Sequence, residues 1–208
     1  MITLHMLMAL AIVAALLFAL AQARRSIMAG QPVFSIDPGF QRWLYIVLGM
    51  TILQVAMGTQ VREMTDMIRA AQGEELRTEW IEFMPWFFYV HRSFSALVLF
   101  ANLWLAVLLI RSLGWQHTLT RLTFMMVAVI VLAVSSGATL GHLGMPALIQ
   151  PTHLLAATLL FGLQFMIWMS YRHSLAGQAT LAVADAAQSS GQSGQEHQKE
   201  HAEQTALS

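Results

Sequence analysis

Three histidines lie inside long apolar stretches of this sequence, where an ionisable side chain is costly and usually functional. His5, His91 and His153 each lie near the same end of their stretch, within about two helical turns of it, so they share one layer of the predicted bundle. Two imidazoles that face each other from different helices could bind a haem iron from both sides. We therefore predict His91 and His153 as axial ligands, and Arg92 as the partner of a haem propionate.

The sequence around these histidines is rich in aromatic and small residues, as a flat cofactor between helices requires. Aromatic residues lie on both sides of His91 and after His153, namely Trp86, Phe87, Phe88, Phe94, Phe161 and Phe165. The alternative is that each histidine donates to a neighbouring carbonyl and that the aromatic residues only pack. His142, at the end of the fourth stretch, is a competing ligand. Asn102 and Gln164 are candidates for hydrogen bonds between helices.

The elements that must position these residues are five apolar stretches, each close to or above the roughly 20 residues that span a bilayer as a helix. Residues are 57% hydrophobic and only 11% charged. The first stretch could be a signal peptide, but no basic residue precedes it, whereas Arg24 and Arg25 follow it. We predict an all-α membrane protein in which a haem-binding four-helix bundle carries one extra N-terminal helix. The stretches run over 2–22, 43–61, 84–110, 122–143 and 147–171.

The basic residues orient these helices. Seven lie in the connections and tail on one side, and three lie in the long loop on the other side, which also contains six acidic residues. The excess of basic residues predicts that the C-terminal tail is cytoplasmic and that the histidine layer is near the outer face of a cell (inner) membrane. The N-terminus is then outside, which we take as a hint that upstream helices are lacking.

Composition also divides the chain. Residues 1–172 form the predicted transmembrane domain, whereas residues 173–208, rich in Ala, Ser, Gly, Gln and Glu, are expected to be a disordered tail. The 11 basic and 11 acidic residues balance, which does not favour a nucleic-acid partner. The absence of cysteine excludes disulfides and thiolate metal sites.

The first and last stretches resemble each other, which in membrane proteins often indicates a duplicated bundle. Residues 4–10 align with residues 152–158, with His5 on His153 and an alanine four positions later in both. By this repeat, the first stretch is the last helix of a preceding copy.

Several segments together resemble the haem A synthase family (Cox15/CtaA) over residues 1–172. They are GTQVRE at 58–63, HRSFS at 91–95, GATL at 137–140, LGMPA at 143–147 and QPTHLL at 150–155. The family has eight spanning helices in two four-helix halves, and this chain is similar to its last five.

The resemblance implies a function and a site. His91 and His153 would be the C-terminal histidine pair, which holds haem b, and His5 would belong to the substrate site for haem O. The family oxidises a methyl group of haem O to a formyl group, which gives haem A for cytochrome oxidase. The chain lacks the family's Glu-x-x-His-Arg motif, and Phe88 occupies the equivalent glutamate position near His91. No catalytic residue is therefore assigned.

These differences from the family pattern leave alternatives open. The chain could be a truncated frame, a piece of a split gene or a short form that works as an oligomer. Its candidate partners are haem O as substrate, a haem O synthase, a missing N-terminal half or a second copy, besides the lipid bilayer. One alternative function is a non-catalytic b-type cytochrome that transfers electrons between quinone and a partner. The other is a haem-free assembly scaffold.

Overall fold

A computed structural model describes residues 2–23, 38–113 and 118–206, and in these ranges the chain is helical apart from short connections. The prediction of an all-α fold is confirmed, since the described residues contain no strand. The helices are α1 (Ile2–Ala23), α2 (Pro38–Gln72), α3 (Trp86–Leu113), α4 (Thr118–His142) and α5 (Ile149–Ala206), with a short 3-10 helix at Arg77–Glu79.

All five α-helices are long and apolar enough to cross a bilayer, as the five stretches predicted. Large apolar side chains point outward along them, for example Leu16 on α1, Phe100 on α3 and Val131 on α4. Surfaces of this kind are stable against lipid and costly in water. The chain is therefore a multi-pass membrane protein.

Helices α2, α3, α4 and α5 form a four-helix bundle in which α3 and α5 lie on a diagonal. Each helix packs on the next, and α5 closes the ring against α2. The bundle interior is filled by aliphatic side chains that are almost fully buried, including Leu44, Leu105, Met126 and Ile167. Helix α1 lies outside this ring and packs on α2 and α5. The predicted arrangement, four helices plus one N-terminal helix, agrees with this packing.

Helix α2 continues well beyond Val61, where the predicted span ended. The extension is amphipathic, and Arg62 pairs with Asp66 one turn later at 2.9 Å. It ends at Gly73, whose φ of +78° and bond from its N–H to the Arg69 carbonyl (3.0 Å) form a left-handed cap. Hydropathy alone places the end of a span, not the end of a helix, so the extension was missed.

The connection between α2 and α3 folds back over one end of the bundle around Trp80. This side chain is fully buried, donates its Nε1–H to the Gly73 carbonyl (3.1 Å) and packs with Met84 and Met145. Gly144, with φ +67°, lets the α4–α5 turn approach closely, because a Cβ there would lie 3.0 Å from Thr78 Cα. We call this end, where α3 and α5 begin, the histidine end.

The backbone of α5 is helical through the polar segment to Ala206. The division of the chain at residue 172, with a disordered tail after it, stays a prediction. Alanine and glutamine are frequent there, and both favour a helix. Packing on the bundle also passes the predicted boundary at residue 172, since Ser174 is buried and Leu175 contacts the core. The placement of this segment in the cytoplasm stays a prediction.

Candidate functional site

His91 and His153 lie at the same level, each in the second turn of its helix at the histidine end. Both side chains are half-buried. Because α3 and α5 are diagonal, the two histidines approach each other from opposite corners of the bundle. The structure thus brings together the pair that the sequence analysis singled out.

Each imidazole rests against a glycine on the helix that precedes its own. A Cβ built on Gly58 of α2 would lie 3.2 Å from Cε1 of His91, and one on Gly137 of α4 would lie 3.0 Å from Cε1 of His153. Carbon atoms in contact are normally about 3.5–4.0 Å apart, so a methyl group at either position would press on the ring, which would have to give by a few tenths of an ångström. The two glycines therefore fix how far each ring can lie from the neighbouring helix.

The orientation of His153 is set by α4. Its Nδ1 lies 2.9 Å from the carbonyl of Ala133 and 3.1 Å from the hydroxyl of Ser136, which donates to the same carbonyl. A carbonyl oxygen can only accept, so Nδ1 carries the proton. A neutral imidazole protonated at Nδ1 presents an Nε2 lone pair, and this is the arrangement that metal-binding histidines adopt.

His91 is held differently. Its Nδ1 is buried and has no hydrogen-bond partner within the described part of the chain. Gln54 of α2 contacts the same residue, because its side-chain amide donates to the His91 backbone carbonyl at 3.1 Å.

A buried polar network closes the centre of the bundle below the histidines. The Gln164 amide donates to the Thr51 hydroxyl (2.9 Å) and to the Asn102 side-chain carbonyl (2.8 Å), and all three residues are almost fully buried. Asn102 and Gln164 each follow their histidine by eleven residues, which is about three helical turns or roughly 16 Å on the same face. The proposed hydrogen bonds between helices thus join α2, α3 and α5.

Arg92 and His142 meet at the histidine end, where both side chains are exposed. The Arg92 guanidinium donates to Nε2 of His142 at 3.0 Å. The structure therefore pairs His142 with Arg92. A guanidinium and an imidazole side by side form a site suited to a carboxylate.

His5 lies apart from the pair, on an exposed face of α1. The same end of α1 is fastened to α2 by polar contacts, since the Thr3 and Thr59 hydroxyls are 2.8 Å apart and Gln60 donates to Thr3. The imidazole thus faces away from the bundle interior.

The aromatic residues predicted to surround the site are divided between different faces. Phe88 is buried near Gly141 at the histidine end. Phe161 and Phe165 stack on each other and pack with Leu10 of α1, so the expectation that they line a slot beside His153 is not met. The reason is helical phase, because Phe161 is eight residues from His153 and is rotated from it by about 80°.

A haem iron needs fewer protein ligands than a bare metal ion does. Among the side chains that the structure describes, which end at Val183, no three His, Cys, Asp or Glu residues form a group that could hold a bare metal ion. Two imidazoles on facing helices suit an iron whose other ligands come from a macrocycle. The protonated Nδ1 of His153 and the glycine beside each ring fit such a group.

The family model described as COX15-CtaA, cytochrome oxidase assembly protein, matches residues 1–165. The chain belongs to this family. The match covers α1–α4 and the part of α5 that carries His153. Membership in the COX15-CtaA family supports a haem A synthase-related role in cytochrome oxidase assembly. Comparisons with curated proteins and with solved structures each found no match.

The residues that hold the histidines were not identified as site residues from the sequence. Gly58 and Gly137 belong to the segments that carry the family resemblance, but their role depends on how closely helices approach. Ala133 contributes a backbone carbonyl, which no side-chain pattern reveals. Gln54 could have been found as a polar residue inside a span, as Asn102 and Gln164 were.

Proposed function

We propose that His91 and His153 are the two axial ligands of one haem b, and that the chain is a haem A synthase or its C-terminal haem-binding part. The observation that carries this proposal is the matched setting of the two imidazoles. They lie on diagonal helices of one bundle, and each is pressed against a glycine of the preceding helix. The family membership supports the role in haem A formation.

The chain's own residues orient the ligands and exclude water. Ala133 and Ser136 hold His153 in one tautomer, and the Thr51–Asn102–Gln164 network holds the helices at one register three turns below the pair. A haem bound there supplies a centre that takes up and releases one electron at a time. The aliphatic core shields that centre from solvent.

Arg92 is the proposed partner of a haem propionate. Its guanidinium is exposed at the histidine end and already directed to His142, so a carboxylate could be bound by both side chains. A bidentate arginine–carboxylate pair is stronger and more directional than a lysine contact. We expect replacement of Arg92 to weaken haem binding less than replacement of either histidine.

His5 is the proposed contact of the substrate haem O. Because it is exposed on α1, a site that includes it must be completed from outside the bundle. A second copy, an N-terminal half or another membrane protein such as a haem O synthase could provide the facing surface. This arrangement separates the substrate from the His91/His153 haem.

The second candidate function is a b-type cytochrome that only transfers electrons. The exposed position of His5 favours it, since one imidazole on one exposed face does not enclose a macrocycle. The two functions share the haem b ligands and differ in whether haem O is converted.

The experiment expresses residues 1–208 with a haem O synthase in a host lacking haem A synthase, and separates the extracted haems by chromatography. Haem A beside haem b shows a complete synthase, whereas haem b alone fits either the C-terminal haem-binding part of a synthase or the cytochrome. In parallel, His91→Ala and His153→Ala should lose most of the haem, whereas His173→Ala, at the opposite end of the spanning region, should keep it. A colourless wild-type protein, or full haem in both ligand variants, would refute the haem b assignment.

A further inference from the structure

The two histidines differ in what holds their second ring nitrogen. Nδ1 of His153 is fixed by the Ala133 carbonyl, whereas Nδ1 of His91 is buried without a partner in the described residues. A buried N–H that makes no hydrogen bond costs about 1–3 kcal/mol. Such a group in a folded protein calls for a physical reason. A ligand histidine also needs its Nδ1–H held if Nε2 is to face the metal in one orientation.

The missing partner is on the neighbouring helix. Gln54 donates its amide to the backbone carbonyl of His91 at 3.1 Å, while its own side-chain oxygen is buried and also lacks a partner in the described residues. Gly58, one turn further along the same face of α2, touches the His91 ring and would place a Cβ 3.9 Å from Nδ1. In the tautomer that leaves Nε2 free for a metal, the proton of His91 is on Nδ1. An unpaired acceptor and an unpaired donor then occur on two residues already in contact.

Rotation of the Gln54 amide is the movement that would join them. The terminal torsion of a glutamine side chain has a broad energy profile, so its amide plane can turn at low cost. Turning it exchanges the directions of the oxygen and nitrogen, so the amide gives up its bond to the His91 carbonyl in return for the bond from the ring. The result for His91 would match what Ala133 does for His153.

We propose that Gln54 is a positioning residue for His91, its side-chain oxygen accepting the Nδ1–H bond so that Nε2 is the axial ligand. This inference rests on the proposed function, because it concerns the ligand geometry of the same haem. The hydrogen bond makes the imidazole a stronger electron donor. A stronger donor stabilises the ferric state, so Gln54 keeps the midpoint potential of this haem low.

The test compares Gln54→Leu and Gln54→Glu by potentiometric titration of the purified, haem-loaded full chain. Leucine removes the acceptor, so the midpoint potential should rise and haem affinity should fall by about 10- to 100-fold, the usual effect of losing such a partner. Glutamate is a stronger acceptor, so the potential should fall. Opposite shifts are not expected if Gln54 only ties two helices together.

The matched control is Gln60→Leu, which removes a bond between α1 and α2 from the same helix without touching His91. It should leave the midpoint potential unchanged. Equal potentials in wild type and both Gln54 variants, or equal shifts in Gln54→Leu and Gln60→Leu, would overturn the inference. If the leucine variant does not accumulate, the glutamate variant decides, and a potential that is unchanged or raised refutes the role.

The proposed function and the role of Gln54 can be refuted separately. If His91→Ala retains its haem and spectrum, the proposed function is wrong whatever Gln54 does. If His91→Ala loses haem while both Gln54 variants keep the wild-type potential, only the inference on Gln54 is wrong.

Discussion

Replacing Gly137 with alanine tests directly whether His153 must lie against α4. The new Cβ would be 3.0 Å from Cε1, 3.5 Å from Nδ1 and 3.8 Å from Nε2 of the imidazole. A normal carbon–carbon contact needs about 3.5–4.0 Å, so the ring must move away by a few tenths of an ångström. That movement stretches the bond from Nδ1 to Ala133, now 2.9 Å, and shifts Nε2 from the position of a metal ligand.

The expected loss of haem affinity follows from the cost of inserting an extra group into a filled site. Inserting a methyl group into a filled site typically costs about 1–3 kcal/mol. Alanine is favoured over glycine in a helix by about 1 kcal/mol, which offsets part of this cost in folding but not in haem binding. We therefore expect haem affinity to fall by about 5- to 150-fold, with little loss of folded protein.

Two further glycines provide a graded series. Gly58→Ala should have a smaller effect in the same direction, because its Cβ would lie 3.2 Å from the His91 ring. Gly49→Ala on α2 is the control, since a Cβ there meets nothing within 4 Å. The assay is the haem-to-protein ratio of the purified variants, followed by haem titration of the depleted protein. Wild-type affinity in Gly137→Ala, or an equal loss in Gly49→Ala, would refute the reasoning.

Three other predictions concern topology, packing and substrate. Alkaline phosphatase fused to the C-terminus should be inactive in a bacterial host, because the basic residues predict that the tail is in the cytoplasm. High phosphatase activity would show that the tail is outside and that the predicted topology is wrong. Asn102→Leu and Gln164→Leu should each lower the free energy of unfolding in detergent by about 0.6–1.7 kcal/mol, and the double variant should lose less than their sum, since they share one bond. Residues 1–208 expressed alone should not convert haem O, because His5 is exposed and needs a facing surface, and a haem A peak that disappears in His5→Ala would contradict this.

Comparing the stability of two glycine variants tests the close approach of Gly144 to Thr78 at the histidine end. Gly144→Ala should be more destabilising than Gly73→Ala, although both pay about 1–2 kcal/mol for a left-handed conformation. Only Gly144 would place its Cβ against Thr78, at 3.0 Å from the backbone. Thermal unfolding of the two variants measures the difference, and equal losses would show that the contact with Thr78 does not matter.

Much of this architecture follows from the sequence because a bilayer imposes simple rules. Apolar length identified five spans, and a common depth identified His91 and His153 as neighbours. The division of the aromatic residues did not follow, because Phe161 was placed by its depth while its face depends on helical phase. The long extension of α2 was missed for a related reason, since charged residues end a span without ending a helix.

The residues that contact and orient the two histidines could not be predicted from residue type. A glycine in a span packs against lipid, a helix or a side chain with no difference in sequence pattern, and only the fold shows that Gly58 and Gly137 face imidazoles. Backbone carbonyls such as that of Ala133 have no sequence signature at all. The pairing of Arg92 with His142 also required the fold, because it joins residues on two helices.

The central claim is that one haem iron is bound by His91 and His153 together. Near-infrared magnetic circular dichroism of the purified, oxidised protein tests it most directly, because the charge-transfer band of a low-spin ferric haem depends on its two axial ligands. We predict the band of a bis-imidazole haem in the wild type and its loss in His153→Ala, in which any haem that remains should be high-spin. A wild-type protein with no such band, or a His153→Ala variant that keeps it, would contradict the assignment.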